Sequence, residues 1–235
     1  MGIRFETNPR RWRNTVVVAR TSPGLLCEVL CHVPTYWMTN TQFERLAVYN
    51  EQEAIKRGSS FDKTSYLESR RFQATEMLKS LRDQSLRCRT LLQSIAIEQY
   101  TKFGGLSYYP SGGLRFEQAE LDELYAGVRR FLSTDAYDLR IPVEFRQCSE
   151  FVHFTPKDEP SKAWGALYLG APVPWLIGDS DRPCGLLVDG ADAAQLLKLF
   201  ELYWGPRPRM VGWPRAVTPE QTLGLLAAHL NLGCP

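Results

Sequence analysis

Histidine and aspartate are the residues of this sequence whose types and spacing could do acid–base or metal chemistry. His153 stands in an apolar, strand-like segment, with Glu150 and Asp158 close to it in sequence. A His with a positioned carboxylate partner is a common general base in hydrolases. Asp179 and Asp181 lie two residues apart and offer the oxygen ligands that Mg²⁺ prefers, although a tight turn is the alternative for this segment. These residues predict one candidate function, a metal-dependent hydrolase or nuclease using Asp179, Asp181 or His153.

An arginine cluster near the start of the chain could contact a phosphate backbone. Arg10, Arg11 and Arg13 surround Trp12, so three guanidinium groups lie beside an indole ring. Contacts of this kind give affinity and salt dependence without reading base sequence. We therefore predict these three arginines as nucleic-acid-binding residues, with a solvated chain segment as the alternative.

No complete catalytic motif accompanies these residues. The sequence has no Gly-x-Ser-x-Gly nucleophile motif, no Gly-rich phosphate loop and no Gly-Lys-Ser/Thr. Cys27 and Cys31 could share one helix face beside His32, but a closed zinc site needs four ligands. The six Cys are scattered along the chain and are expected to be reduced. The sequence thus predicts no catalytic residues, no metal and no cofactor, and favours a protein that is not an enzyme.

The composition is typical of a globular cytoplasmic protein. Of 235 residues, 44% are hydrophobic and 23% are charged, and no apolar run approaches the ~20 residues of a membrane span. The net charge of +2 is divided unevenly, with +6 on residues 1–102 and −4 on residues 103–235. This asymmetry predicts either a polyanionic or acidic partner for the first half, or two halves that pack on each other.

Residues 1–62 are predicted to form a helical, basic section. Leu25–His32 is expected to form one or two helical turns that end at Pro34, and Thr41–Arg57 is expected to form a longer helix. Gly58-Ser59-Ser60 is typical of a linker.

A long amphipathic helix is predicted next. Ser65 and Glu68 have the spacing of a capping box at its start. Apolar residues recur every seven positions from Leu67 to Ile95, opposite a basic side. Because few globular helices exceed about 25 residues, we expect a break before Ile95.

The sheet is predicted mainly between Asp138 and Trp204. Apolar positions first alternate, as in a half-buried strand, and short apolar runs then follow. Helical periodicity marks the segments before and after these strands. The predicted strands cover Leu139–Phe145, Trp164–Leu169, Val173–Ile177 and Gly185–Val188, and the predicted helices cover Leu121–Leu132, Asp192–Trp204 and Glu220–Leu232.

The order of these elements carries a family resemblance. A basic helix over Arg70–Arg89 precedes a helix that ends in Arg129-Arg130-Phe131-Leu132, then the strand pattern Tyr137–Val143, then Gly185–Asp189 leading into a helix. This order resembles the domain that follows the helix-turn-helix in bacterial XRE-like transcription regulators. The resemblance implies a role in sensing or assembly, and a DNA-binding part upstream, where Gly24–Met38 can be laid on a helix-turn-helix.

Together these patterns predict an α+β protein with a helical basic N-terminal section, a mainly antiparallel sheet with packed helices, and a C-terminal helix. The expected divisions are residues 1–62, with a degenerate helix-turn-helix, residues 63–205, a regulatory or binding domain, and residues 206–235, a Pro-rich connector and last helix. The predicted function is a non-enzymatic bacterial regulatory or adaptor protein that binds DNA or a protein partner, compatible with a homodimer. The alternatives are the hydrolase above and a host- or phage-interaction protein.

Overall fold

The computed structural model describes residues 3–6, 24–31, 35–56, 58–92, 105–106, 114–115, 117–140, 151–168, 185–204 and 224. Both helices and a sheet are present within these ranges, which confirms the predicted α+β class. None of the helices found there is long and apolar enough to cross a membrane.

Nine strands and four helices make up the described part of the chain. The strands are β1 (Arg4–Glu6), β2 (Leu25–Cys31), β3 (Leu86–Leu92), β4 (Gly105–Leu106), β5 (Leu114–Arg115), β6 (Tyr137–Arg140), β7 (Phe151–Pro156), β8 (Trp164–Tyr168) and β9 (Gly185–Asp189). The helices are α1 (Asn40–Lys56), α2 (Lys63–Arg82), α3 (Gln118–Leu132) and α4 (Gly190–Trp204), and short 3-10 turns lie at Thr35–Trp37 and Pro160–Lys162.

Seven strands form one mixed sheet in the order β1-β9-β8-β7-β2-β3-β6. Four of its six pairings are antiparallel, and the pairings of β2 with β3 and of β3 with β6 are parallel. A parallel pair needs a crossover connection. Here α1 and α2 connect β2 to β3, and α3 lies between β3 and β6 in the chain.

Helices pack on both faces of this sheet. Successive residues of a strand point to opposite faces, so Val29 and Phe154 join the core beneath α1, α2 and α3. Phe151 and Leu91 belong to the other face, where they cluster with Phe200 of α4. The sheet therefore has a smaller second core under α4, and the charged residues of that face lie beside it.

The expectation of helical turns at Leu25–His32 is wrong, because Leu25–Cys31 is a strand inside the sheet. A strand buried on both faces has a nearly continuous apolar sequence, which periodicity alone does not distinguish from a short buried helix. The helix-turn-helix laid on Gly24–Met38 fails for the same reason. The division at residue 62 also does not separate the sheet, since β1 and β2 pair with strands from the second section.

Helix α2 starts at Lys63, three residues before the start that the predicted capping box at Ser65 implies. Its N-cap is Asp62, whose carboxylate accepts a hydrogen bond from the backbone N–H of Ser65 at 3.0 Å. The helix ends at Arg82, and Gln84 takes a left-handed conformation with φ of 58° before β3 begins. The seven-residue repeat of apolar residues therefore continues into a strand. Cys88 is buried there because successive strand residues alternate between the two faces of the sheet, and not because of helical periodicity.

The other predicted elements agree with the structure where it describes them. The helices at 121–132 and 192–204 are present with slightly earlier starts, and strands occur at Trp164–Tyr168 and Gly185–Asp189. The first predicted strand is present at Leu139 and Arg140, within a strand over Tyr137–Arg140, and its residues 141–145 lie outside the described ranges. The strand at Val173–Ile177 lies outside the described residues, and so does the helix at Glu220–Leu232 apart from Gly224.

The position of the α2 cap gives a direct test of this correction. We expect Asp62→Ala to lower the free energy of unfolding by about 1 kcal/mol, the usual loss for an N-cap side chain. Ser65→Ala should leave it within roughly 0.5 kcal/mol, because Ser65 is exposed and contributes its backbone N–H to the cap. Urea unfolding of the two variants measures both values, and a larger loss for Ser65→Ala would restore the capping box.

Candidate functional site

A row of polar side chains crosses the middle of the sheet on the face covered by α4. Glu28 of β2 is the register partner of Arg89 in β3 on one side and of His153 in β7 on the other. The row continues to Gly165 of β8. Because register partners on neighbouring strands place their side chains on the same face, the sheet itself brings these charged groups together.

Glu28 is the centre of this cluster. One carboxylate oxygen, Oε1, accepts a hydrogen bond from Nη2 of Arg89 at 3.0 Å, and the other, Oε2, lies 2.9 Å from Nδ1 of His153. Glu28 and His153 are both fully buried. A buried carboxylate is tolerated when charged or hydrogen-bonded partners compensate its desolvation, and here both oxygens have such a partner.

This geometry fixes how His153 is oriented. A carboxylate that pairs with a guanidinium has only acceptors to offer, so Nδ1 of His153 donates to it. The hydroxyl of Thr155 lies 3.4 Å from the same nitrogen. Nε2 has no hydrogen-bond partner among the described residues. In a neutral imidazole whose Nδ1 carries the proton, Nε2 is a hydrogen-bond acceptor. An unprotonated imidazole nitrogen of this kind can act as a base or a nucleophile.

Arg89 connects the buried carboxylate to the surface. Its Nη2 also donates to Oε1 of Glu201 in α4 at 2.6 Å, and Glu201 is 46% exposed. Burial lowers the pKa of Arg89, but the bonds to Glu201 and Glu28 outweigh that effect and raise the pKa above its ordinary value. Arg89 therefore remains a cation that neutralises Glu28.

A second arginine closes the end of α4. Arg140 donates from Nη1 to the backbone carbonyl of Trp204 at 2.7 Å, and its guanidinium carbon lies 4.0 Å from the centre of the Trp204 ring. Burial lowers the pKa of Arg140, and the nearby charge of Arg89 lowers it further. A cation on the last carbonyls of a helix is favourable, so Arg140 attaches α4 to the sheet.

Gly165 allows α4 to lie close to the sheet beside His153. A Cβ atom at this position would lie 2.5 Å from Cδ1 of Leu196 in α4. A larger residue would force Leu196 to move and would loosen the packing of the helix on the row. The close packing of α4 accounts for the full burial of His153.

The sequence pattern indicates His153 but not the residue that orients it. The expected partner Asp158 is exposed beyond the end of β7, and Glu150 lies outside the described residues. The true partner, Glu28, is 125 positions away in the sequence. The signal for it in the sequence was a single Glu in an otherwise apolar run, Leu25–Cys31.

The remaining predicted site residues lie outside the described ranges. These are Arg10, Arg11, Arg13, Asp179 and Asp181. No group of three His, Cys, Asp or Glu able to hold a metal ion occurs among the described residues. Cys27 and Cys31 do not share a helix face, because both lie on a strand, where positions four apart are separated by about 13 Å.

Ion pairs with the second half of the chain offset part of the basic excess of residues 1–102. Among the described residues, six Lys and Arg of this half are paired with a carboxylate, four of them only within the half itself, and two pairs reach into the second half, Arg45 with Glu120 and Arg89 with Glu201. This supports the interpretation in which the two halves pack on each other. If the first half also binds a polyanion, the contacts must come from basic residues outside these pairs, such as the predicted Arg10, Arg11 and Arg13.

No family model, curated protein or solved structure matches this chain.

Proposed function

We propose that this protein is a non-enzymatic regulatory or adaptor protein that acts by binding a macromolecular partner. The observation that carries the proposal is the outer face of the helical pair α1–α2, where large apolar side chains are exposed to solvent. The later elements that resemble the domain appended to XRE-like regulators support a role of the same kind, although the predicted basic helix over Arg70–Arg89 ends at Arg82 and is followed by β3. The cytoplasmic location that belongs to this role rests on the sequence alone.

Three large apolar residues lie on this outer face. Val48 and Ile55 of α1 are 38% and 70% exposed, and Phe72 of α2 is 53% exposed. Exposure of single apolar residues is ordinary, but several of them among charged groups are typical of a protein interface. They are therefore the best candidates for a contact surface in the described part of the chain.

Charges on the same face are already paired within the protein. Arg71 of α2 contacts Glu44 of α1 at 2.6 Å, and Lys63 contacts Glu51 at 3.8 Å. Nucleic acid binding depends on free cations that replace counterions on phosphates. Paired charges around apolar side chains favour a protein partner on this face. Arg10, Arg11 and Arg13 are then the residues that we expect to contact DNA.

The buried pair of Glu28 and His153 supports a structural role better than a catalytic one. Both side chains are fully buried, and α4 packs over them. A general base must come within hydrogen-bond reach of the proton that it takes. With α4 in place, a substrate does not have that access.

A second candidate function is favoured by one specific observation. The imidazole of His153 has Nδ1 fixed by a carboxylate and Nε2 without a partner among the described residues. This arrangement is also that of an oriented base or nucleophile. A hydrolase or nuclease using His153, with Asp179 and Asp181 as metal ligands, is therefore the alternative.

One labelled duplex of random sequence tests DNA binding and the nuclease alternative together. We expect its fluorescence anisotropy to show binding that weakens steeply between about 50 and 200 mM salt. Changing Arg10, Arg11 and Arg13 to Ala should make the negative slope of log K against log salt less steep, by about 0.9 for each phosphate that these arginines neutralise. The matched control changes Arg87, Arg129 and Arg130, three exposed arginines, to Ala and should alter the slope less.

The same samples, run on a gel after incubation, report on the alternative. Cleavage of the duplex that stops with His153→Ala, or with chelator and Asp181→Ala, would replace the binding proposal with a nuclease. Intact DNA without any anisotropy change at low salt would remove DNA as a partner and leave the protein-binding face.

A further inference from the structure

The exposed face of α2 carries a symmetric pattern of residues. Six exposed positions recur at steps of three and four, so they form one stripe along the helix. The steps are 3, 4, 3, 4 and 3, and they are the same from either end. The stripe consists of Ser65, Glu68, Phe72, Thr75, Lys79 and Arg82.

The chemistry of the stripe is complementary to itself when it is reversed. Glu68 lies four residues before Phe72, and Lys79 lies four residues after Thr75. If two α2 helices lie antiparallel, Glu68 of each faces Lys79 of the other. The Phe72 ring of each then faces the small Thr75 of the other, on either side of a two-fold axis. Such an interface is isologous, the commonest kind in homo-oligomers.

We infer that the partner bound by this face is a second copy of the same chain, packed through α2 in antiparallel orientation. The inference rests on the proposed function and names the partner for its binding face. The charge pattern is the reason for choosing a second copy, because it places opposite charges opposite each other only when the second helix is reversed.

The side chains involved are positioned for such contacts. Phe72 is about half exposed, and the ammonium of Lys79 is held only loosely by Glu76 at 3.8 Å, with most of its side chain in solvent. Helix α2 is fixed against α1 in the main core, where Phe43, Leu46 and Met77 are buried. The stripe is therefore presented by a rigid pair of helices, which limits the entropic cost of association.

Charge exchange across the axis gives a sharp test by sedimentation equilibrium. We expect the 235-residue chain to dimerise with a dissociation constant in the micromolar range, because the stripe has one large aromatic anchor per copy. Glu68→Lys and Lys79→Glu should each weaken the dimer about tenfold or more, since each places like charges opposite each other. The double variant E68K/K79E should regain wild-type association, because both pairs re-form with reversed sign.

Mixing the two single variants adds a second readout. Glu68→Lys in one copy meets Lys79→Glu in the other, and the two unchanged residues meet as well, so the mixture should form a heterodimer. Phe72→Glu should abolish association, and Asp135→Lys, a charge reversal at an exposed residue after α3, should leave it unchanged.

Two results would overturn the inference while leaving the proposed function in place. A protein that stays monomeric at every concentration does not use this face for a second copy, and a different protein must then be the partner. If the dissociation constant of the dimer does not change with Glu68→Lys or Phe72→Glu, the chains associate through another surface. A nuclease result in the DNA experiment would instead overturn the proposed function and would not change the dimer.

Discussion

Glu28→Ala is expected to destabilise the protein by about 3 kcal/mol or more. The substitution removes the carboxylate that meets both Arg89 and His153, and it leaves a fully buried imidazole without its hydrogen-bond acceptor. Breaking one partner out of a buried charged cluster typically costs about 3–5 kcal/mol. Denaturation in urea, monitored by tryptophan fluorescence, measures the change in the free energy of unfolding.

Glu201→Ala provides the matched control for Glu28. It removes the other carboxylate bound to Arg89, but that carboxylate is about half exposed. Exposed ion pairs contribute about 0–1 kcal/mol, so this variant should stay within that range. Equal losses for the two variants would show that burial does not set the strength of these pairs.

An apolar replacement of the whole cluster separates its structural role from any catalytic one. The triple variant E28L/R89M/H153L removes all three polar side chains of the row at once, and such replacements of buried charged groups are often neutral or stabilising. We expect it to recover most of the stability that Glu28→Ala removes. A triple variant that fails to fold would show that these polar contacts specify the sheet and do not merely neutralise one another.

Gly127→Ala is the second substitution with a large expected effect. A Cβ atom at this position would clash with the backbone carbonyl oxygen of Trp37, where α3 crosses the turn Thr35–Trp37. Backbone atoms of a packed turn cannot rotate away, so α3 or the turn must shift. We expect a loss of about 3 kcal/mol, at the upper end of overpacking effects. In a chain of 235 residues this corresponds to a melting temperature about 6–12 °C lower.

Gly165→Ala is the comparison for Gly127→Ala, because its added Cβ meets a side chain and not a backbone atom. Its added Cβ would approach Cδ1 of Leu196 at 2.5 Å, but that methyl group is the end of a flexible side chain. The leucine can change rotamer, so we expect a loss of about 1 kcal/mol. Differential scanning calorimetry of both variants tests the order. A smaller effect for Gly127→Ala than for Gly165→Ala would contradict the close approach of α3 to the Trp37 carbonyl.

The second core under α4 relates these stability arguments to function. Arg140 and Trp204 attach the end of α4 to the sheet, and Phe200 packs against Phe151 beneath it. The same helix closes His153 from solvent. If the nuclease alternative held, substrate access would require α4 to move, whereas the binding proposal requires only the exposed helices α1 and α2 on the opposite face.

Local sequence patterns alone predict the elements that have a strong periodicity. Helices α3 and α4 have apolar residues at three- and four-residue steps, and β8 and β9 are short apolar runs bounded by turn residues, so local chemistry specified their type and nearly their bounds. The outer stripe of α2 can also be located from helical spacing once the helix is known.

The tertiary structure alone decided the identity of β2 and the partner of His153. Leu25–Cys31 is apolar on both faces, so nothing local distinguishes strand from helix, and pairing with β3 and β7 settles it. Glu28 reaches His153 only because sheet order makes their strands neighbours across 125 positions of sequence. Register, unlike periodicity, is a property of two strands together, and one segment of sequence does not contain it.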